Sequence, residues 1–260
     1  MKTLNTILFI GALSLINPSE INCQKVNNTI NIINYKKNQS LDKIIKNFRL
    51  KGFKIEELFS DPRFEIYGNI DKIFKGSPES RIKDYNVYKE KLGVENKKKK
   101  IGKFIRDYNY QLSIAEKQYN IPKEIIASII GVESDFGNNT GKYYAFNSFI
   151  SLIVKDYKTD FALIQLEHLL KFSKKNNINV FGLKSSYAGA IGFAQFIPSS
   201  LNQYFVGDNV YDMEDNINSV ANYLKSAKKR TGKLDRAVYA YNHSDFYVRA
   251  VLEIAEAGKE

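Results

Sequence analysis

A chain of 260 residues, 43% hydrophobic and 13% aromatic, has enough apolar side chain for one large core or two small ones, which excludes a disordered protein. Its formal net charge of +11 implies an acidic partner, and nucleic acid, anionic lipid and an acidic cell-wall polymer all qualify. The lysines are dispersed apart from one run and no nucleic-acid motif is present, so no nucleic acid is expected, while one cysteine excludes an internal disulfide framework.

Residues 1–23 open with Met1-Lys2, run through the apolar stretch Ile7–Ile16 and turn polar at Asn17-Pro18-Ser19-Glu20. That is the layout of a secretory signal, too short to span a membrane with ordinary flanks. Cys23 stands where such a segment is cleaved. Lipidation of Cys23 and plain cleavage both stay open, because Glu20-Ile21-Asn22 lacks the Leu-like and small residues that precede an acylated cysteine. Either way the chain is expected to be exported, periplasmic or anchored in the cell envelope, with any membrane attachment through its N-terminus.

Residues 24–47 are polar, rich in Asn and Lys, and read as a tether or a loosely attached helix. Residues 48–257 are expected to form one domain. Its part 48–100, broken by Gly52, Pro62, Gly68, Gly76 and Pro78, reads as an irregular N-terminal subdomain, and 101–257 as the core. Lys97-Lys98-Lys99-Lys100 reads as the solvated start of a helix. Ile101, Phe104, Ile105, Tyr108, Leu112 and Ala115 share one face, which predicts a single helix over 101–119, broken by Asn120. The next helix has Pro122 in its first turn and places Ile126, Ile130 and Glu133 at i, i+4 and i+7. Phe146 to Tyr157 and Phe161 to Leu170 repeat the helical period. Asp215 is the expected cap of a helix carrying Ile217, Val220, Ala221 and Leu224 and stopping at Gly232. Helices over 234–241 and 244–257 close the chain. With no run of alternating strands, no repeat and no glycine-rich phosphate loop, the fold class is mostly α, and a monomer is expected.

Three stretches carry chemistry. Glu133 ends an apolar stripe, and a carboxyl leaning on hydrocarbon keeps its proton to higher pH, as a general acid near neutrality must. The bland alternative is a helix-terminal glutamate pointing to water. In Ser185–Ser200 the small residues at 188–190 and 192 admit close approach of another chain, and Ser186, Tyr187 and Gln195 add polar groups and a ring. That suits a sugar polymer, and equally suits tight packing of helices. Tyr239–Tyr247 crowds polar aromatics between two helices, to line a saccharide groove or to close the core.

Together these stretches resemble the lytic murein transglycosylase B family, peptidoglycan-cleaving enzymes of lysozyme-like fold. Gly131-Val132-Glu133-Ser134-Asp135-Phe136-Gly137 is similar to the family's Gly-Val-Glu-Thr-x-x-Gly, with Ser for Thr. Ser185–Ser200 is nearly its glycine-rich motif, and Ser219-Val220-Ala221-Asn222-Tyr223 and Tyr241-Asn242-x-Ser244 follow in the family's order. The resemblance covers about residues 48–257, and the goose-lysozyme type of catalytic domain is the fold it implies.

It also implies that Glu133 is the sole acid/base and that Ser186, Gln195, Tyr241, Asn242 and Tyr247 contact peptidoglycan glycan strands. The implied reaction breaks the N-acetylmuramic acid to N-acetylglucosamine bond and leaves 1,6-anhydromuramic ends. Asp135, two residues on, is a poor second carboxylate, since a helix would turn it about 200° away. A lysozyme-like hydrolase and a non-catalytic wall-binding scaffold remain as alternatives. Many relatives have an Asp-rich calcium loop where Phe205–Asp212 is shorter here and lacks Asp-x-Asp-Gly. His168 and His243 are far apart in sequence, so neither a metal nor any other cofactor is expected.

Overall fold

In the computed structural model the described residues are 39–76 and 82–259, so the expected leader, Cys23 and residues 24–38 lie outside them. The described residues open with α1 (Gln39–Leu50), a 3-10 turn (Ile55–Ser60), α2 (Ile70–Lys75) and α3 (Tyr85–Leu92). Helix α1 runs across the expected boundary between residues 47 and 48. Its Leu41, Ile44 and Phe48 recur at helical spacing and are buried, and Lys51 just beyond pairs with Glu167 at 2.5 Å. The folded body therefore takes in the later part of the expected tether.

Helices α4 (Val94–Asp107) and α5 (Asn109–Tyr119) replace the single helix expected over 101–119. Tyr108, at φ −115° and ψ 26°, interrupts the helix although the apolar period runs through it. Packing sets the break: α4 lies on α12 (Asp245–Ala257), whereas α5 lies on α10 (Met213–Thr231). The lysine run is a solvated face only in part, with Lys99 exposed and Lys97 buried. Lys97 is 4% exposed and its Nζ donates to the Leu92 carbonyl at 2.6 Å, while Lys100 reaches Asp135 at 2.8 Å. Long aliphatic stems let lysines line an apolar face and still bring the ammonium to an acceptor.

Helix α6 (Lys123–Ser134) starts one residue after Pro122, which is its N-cap and not part of its first turn. Every residue from Ile125 to Ser134 is buried, because α4, α5, α10 and α12 all pack on it. The stripe of Ile126, Ile130 and Glu133 is thus one side of a helix buried all round. A second group stacks α7 (Ala145–Val154) on α8 (Thr159–Lys175) and α8 on α9 (Pro198–Tyr204), with α1 and α2 against α7. Helix α11 (Leu234–Tyr241) packs on both α10 and α12. The cap of α10 is Asp212, whose carboxylate accepts from the Asp215 amide at 3.0 Å. Asp215, the expected cap, sits in the first turn and accepts from the Asp208 and Asn209 amides at 3.1 and 3.0 Å.

Beside α7 runs a two-residue antiparallel ladder, β1 (Tyr143–Tyr144) with β2 (Lys184–Ser185), in the register Tyr143↔Ser185 and Tyr144↔Lys184. Gly141 makes it possible: it sits at φ 86°, and a Cβ there would stand 2.1 Å from the Ser185 carbonyl oxygen. Among the described residues no helix is long and apolar enough to cross a membrane.

Gly141→Ala combines that overlap with a positive φ and is expected to cost about 2–4 kcal/mol, some 5–15 °C in Tm. Gly182→Ala, with nothing within 4 Å of the added methyl, is the matched control and should shift Tm by about a degree at most. Thermal unfolding followed by circular dichroism checks both.

Candidate active site

Helix α6 ends one residue after Glu133, and the way it ends fixes the carboxylate. The Ser134 hydroxyl donates to the Ile130 carbonyl at 3.0 Å and accepts from the Gly137 amide at 3.0 Å. Asp135 and Phe136 then both adopt left-handed backbone, at φ 51° and 59°, a conformation uncommon for residues other than glycine. The reversal folds the Phe136 ring back over Gly131, where a Cβ would meet it at 2.5 Å. Glycine in the family-like Gly-Val-Glu segment is therefore a packing requirement. Asp135 is turned away into its pairing with Lys100, so it is not a second carboxylate beside Glu133.

Glu133 is 4% exposed, and the fully buried Tyr247 of α12 donates its hydroxyl to Oε1 at 2.7 Å. Burial pushes the Glu133 carboxyl up to about 8, against a smaller downward pull from the Tyr247 hydrogen bond. Its place at the C-terminal end of a helix dipole also disfavours the negative form. At neutral pH the group holds a proton. The bland alternative, a glutamate pointing to water, does not describe it.

Tyr241, the last residue of α11, donates its hydroxyl to the Ala194 carbonyl at 2.6 Å. Burial holds its phenol well above 10, and the Glu133 charge adds to the shift, so the two groups are near each other. That hydrogen bond ties α11 to the glycine-rich segment, which is not a helix but a loop of tight turns bridged at Ser185↔Ile191 and Ile191↔Phe196. Gln195 takes a positive φ of 47° in this loop, and its Nε2 donates to the Gly192 carbonyl at 2.8 Å. Ser186 lies at the loop's other end, where its hydroxyl accepts from the Ala190 amide at 3.2 Å and helps close the turn. Asn242 is buried just after Tyr241, its carbonyl accepting from the Ser244 amide at 2.7 Å.

The structure thus gathers Glu133, Tyr241, Tyr247 and the Gln195 turn, with Ser186 farther along the same loop. Tyr247 differs from its expected role. With no exposed surface it grips the carboxylate instead of lining a groove. Two supporting residues were given no role in the sequence reading, although Tyr223 ends the Ser219–Tyr223 motif. Asn216 is buried in α10, accepts from the Ala194 amide at 3.0 Å and donates to the Val210 carbonyl at 3.0 Å, which fixes the loop from below. Tyr223 packs 4.8 Å from the Tyr241 ring and donates to the Ala240 carbonyl at 2.5 Å. A buried asparagine in an early helical turn is the signal that was available for the first. Among the described residues no group of three or more His, Cys, Asp or Glu is placed to hold a metal ion.

Three comparisons bear on this geometry. The Escherichia coli membrane-bound lytic murein transglycosylase B is 37% identical over 130 residues, covering 47% of this chain and 36% of that protein. The E. coli lytic transglycosylase Slt35 in complex with bulgecin A superposes with a TM-score of 0.75 at 21% identity, over 86% of this chain and 94% of that one. Pseudomonas aeruginosa SltB3 in complex with NAG-anhNAM-pentapeptide does so with a TM-score of 0.71 at 20% identity, over 85% and 80%. Both are likenesses of fold, and the fold is mostly α and lysozyme-like, as expected from the sequence. A family profile described as the transglycosylase SLT domain matches residues 36–238, most of the chain, and the protein belongs to that family.

Proposed function

We propose that this chain is a peptidoglycan lytic transglycosylase of the cell envelope that uses Glu133 as its single acid/base. The observation that carries the proposal is a carboxyl group enclosed by apolar helices, protonated at pH 7 and held in place by Tyr247. Glu133 gives its proton to the glycosidic oxygen that leaves with N-acetylglucosamine, and the bond from that oxygen to the muramic C1 breaks. The muramic N-acetyl carbonyl stabilises the positive carbon. The Glu133 carboxylate then takes the proton of the muramic 6-hydroxyl as that oxygen bonds to C1. The product is a 1,6-anhydromuramic end, with no net water used and the acid restored.

One carboxylate suffices because the substrate supplies the second participant, where most glycosidases need two acids. Desolvation and the Tyr247 hydroxyl account for the Glu133 shift, with no neighbouring carboxylate among its causes. Ser186, Gln195 and Tyr241 are the glycan-side residues in this reading, and the buried Asn242 and Tyr247 are positioning residues. The relative named membrane-bound lytic murein transglycosylase B and the SltB3 complex with an anhydro muropeptide support both the reaction and its product class. The signal-like residues 1–23 support export, and the net charge of +11 suits a polymer whose stems bear carboxylates.

Mass spectrometry of purified peptidoglycan incubated with the protein should find anhydromuramic ends, and Glu133→Gln should reduce them about 10³-fold or more. Reducing ends carrying one added water would mean a hydrolase, and intact glycan bound by a folded protein would mean a scaffold.

The pH dependence follows from the sign of the Glu133 shift. The reactive form is protonated, so the rate should fall as pH rises through about 8. Tyr247→Phe removes a donor that favours the carboxylate, which raises the Glu133 value further. The alkaline limb of kcat against pH should therefore move up by about one unit, the size of one charge-assisted hydrogen bond.

A further inference from the structure

The lysine run at the start of α4 has no part in the proton transfers, yet one of its members reaches the end of the helix that carries Glu133. Lys100 sets its Nζ 2.8 Å from Asp135 Oδ2 and 3.1 Å from Oδ1, across 35 residues of sequence. Lys97, one turn earlier, does not compete for that carboxylate, because the Leu92 carbonyl holds its ammonium. One turn further along α4, at i+4 from Lys100, the Phe104 ring packs on the Phe136 ring with centroids 5.1 Å apart. Two neighbouring side chains of one helix thus grip two successive residues at the end of another.

Those two residues carry the backbone strain of the segment. Asp135 and Phe136 both sit at positive φ, which a Cβ disfavours, and such a turn persists only when the contacts around it over-determine it. Part of the hold is local: the Asp135 amide donates to the Gly131 carbonyl at 3.0 Å, and Asn138 Nδ2 donates to the Asp135 carbonyl at 2.7 Å. The remainder comes from α4. The family-like pattern Gly-Val-Glu-Thr-x-x-Gly leaves both positions open, so it accounts for neither contact. A relaxed turn would unwind the end of α6, and Glu133, two residues before Asp135, would gain water. A carboxyl that gains water gives up its proton at lower pH.

We propose that Lys100 is a positioning residue for Glu133: together with Phe104 it latches the left-handed turn after the acid and so keeps the carboxyl enclosed. This rests on the reading of Glu133 as the acid/base and adds the group that holds its helix end shut. The ionisable groups beside Glu133 are the Tyr247 and Tyr241 phenols, which burial keeps neutral well above pH 8. The test measures kcat, KM and the pH profile of kcat in wild type, Lys100→Met and Lys100→Arg. Lys103→Met is the control, since the partner of Lys103, Asp107, lies on α4 itself.

An ion pair this exposed adds little to global stability, so Lys100→Met should move Tm by no more than about 3 °C. It should lower kcat at pH 7 about fivefold with KM unchanged, and move the alkaline limb down by about one unit, opposite to Tyr247→Phe. Lys100→Arg should keep both at wild-type values, as should Lys103→Met. Adding Asp135→Gly to Lys100→Met should restore them, because glycine takes the positive φ without a tie. An unchanged alkaline limb in Lys100→Met, an equal shift in Lys103→Met, or no recovery with Asp135→Gly would overturn the latch. Should the wild type release no anhydromuramic product, the acid/base reading fails on its own. Carbon-13 NMR titration of labelled glutamate carboxyls, with the Glu133 signal identified by its loss in Glu133→Gln, then decides the latch. A lower Glu133 midpoint in Lys100→Met than in wild type upholds it, and an equal midpoint overturns it.

Discussion

A carboxyl group at the end of a helix that has no solvent face is the constraint on which the remainder of the structure depends. An isolated buried carboxylate is too costly to keep ionised, so the group stays protonated and needs at least one polar partner. Tyr247 is that partner, and it comes from a helix 114 residues away in sequence. Around this contact α4, α5, α10 and α12 shut water away from α6. The same apolar wall that stabilises the domain therefore sets the protonation state of the proposed acid/base.

The glycine-rich loop is fastened to α10 and α11 through hydroxyl and amide contacts as well as ring packing. Tyr241 holds the Ala194 carbonyl from one side, and Asn216 takes the Ala194 amide from the other. With both backbone groups of one residue fixed by side chains of different helices, the following residue, Gln195, is kept at its positive φ. Phe196 and Tyr223 pack on the Tyr241 ring, at 5.5 and 4.8 Å, and hold the phenol that holds the loop. A loop is thereby given the precision of a helix face.

Much of this was legible in the sequence, for identifiable reasons. Apolar spacing located α6 and α12 and put Glu133 at the edge of hydrocarbon, because helix period and burial are local properties of sequence. The role of Tyr247 was not legible: the direction of a hydroxyl depends on how two distant helices cross. Lys97 was misread because charge suggests solvent, whereas its stem is apolar and one carbonyl satisfies its head. The joint at Tyr108 was hidden by a period that continues across it, and the cap of α10 was expected at Asp215, three residues after the aspartate that caps it.

The enclosure of Glu133 has a consequence for proton traffic. A buried acid that had to exchange with solvent at every turnover would need a water path or an opening motion. In the proposed reaction the proton lent to the departing sugar is returned by the 6-hydroxyl of the sugar that stays. The cycle is closed within the substrate, so a carboxyl that is 4% exposed loses nothing by its isolation.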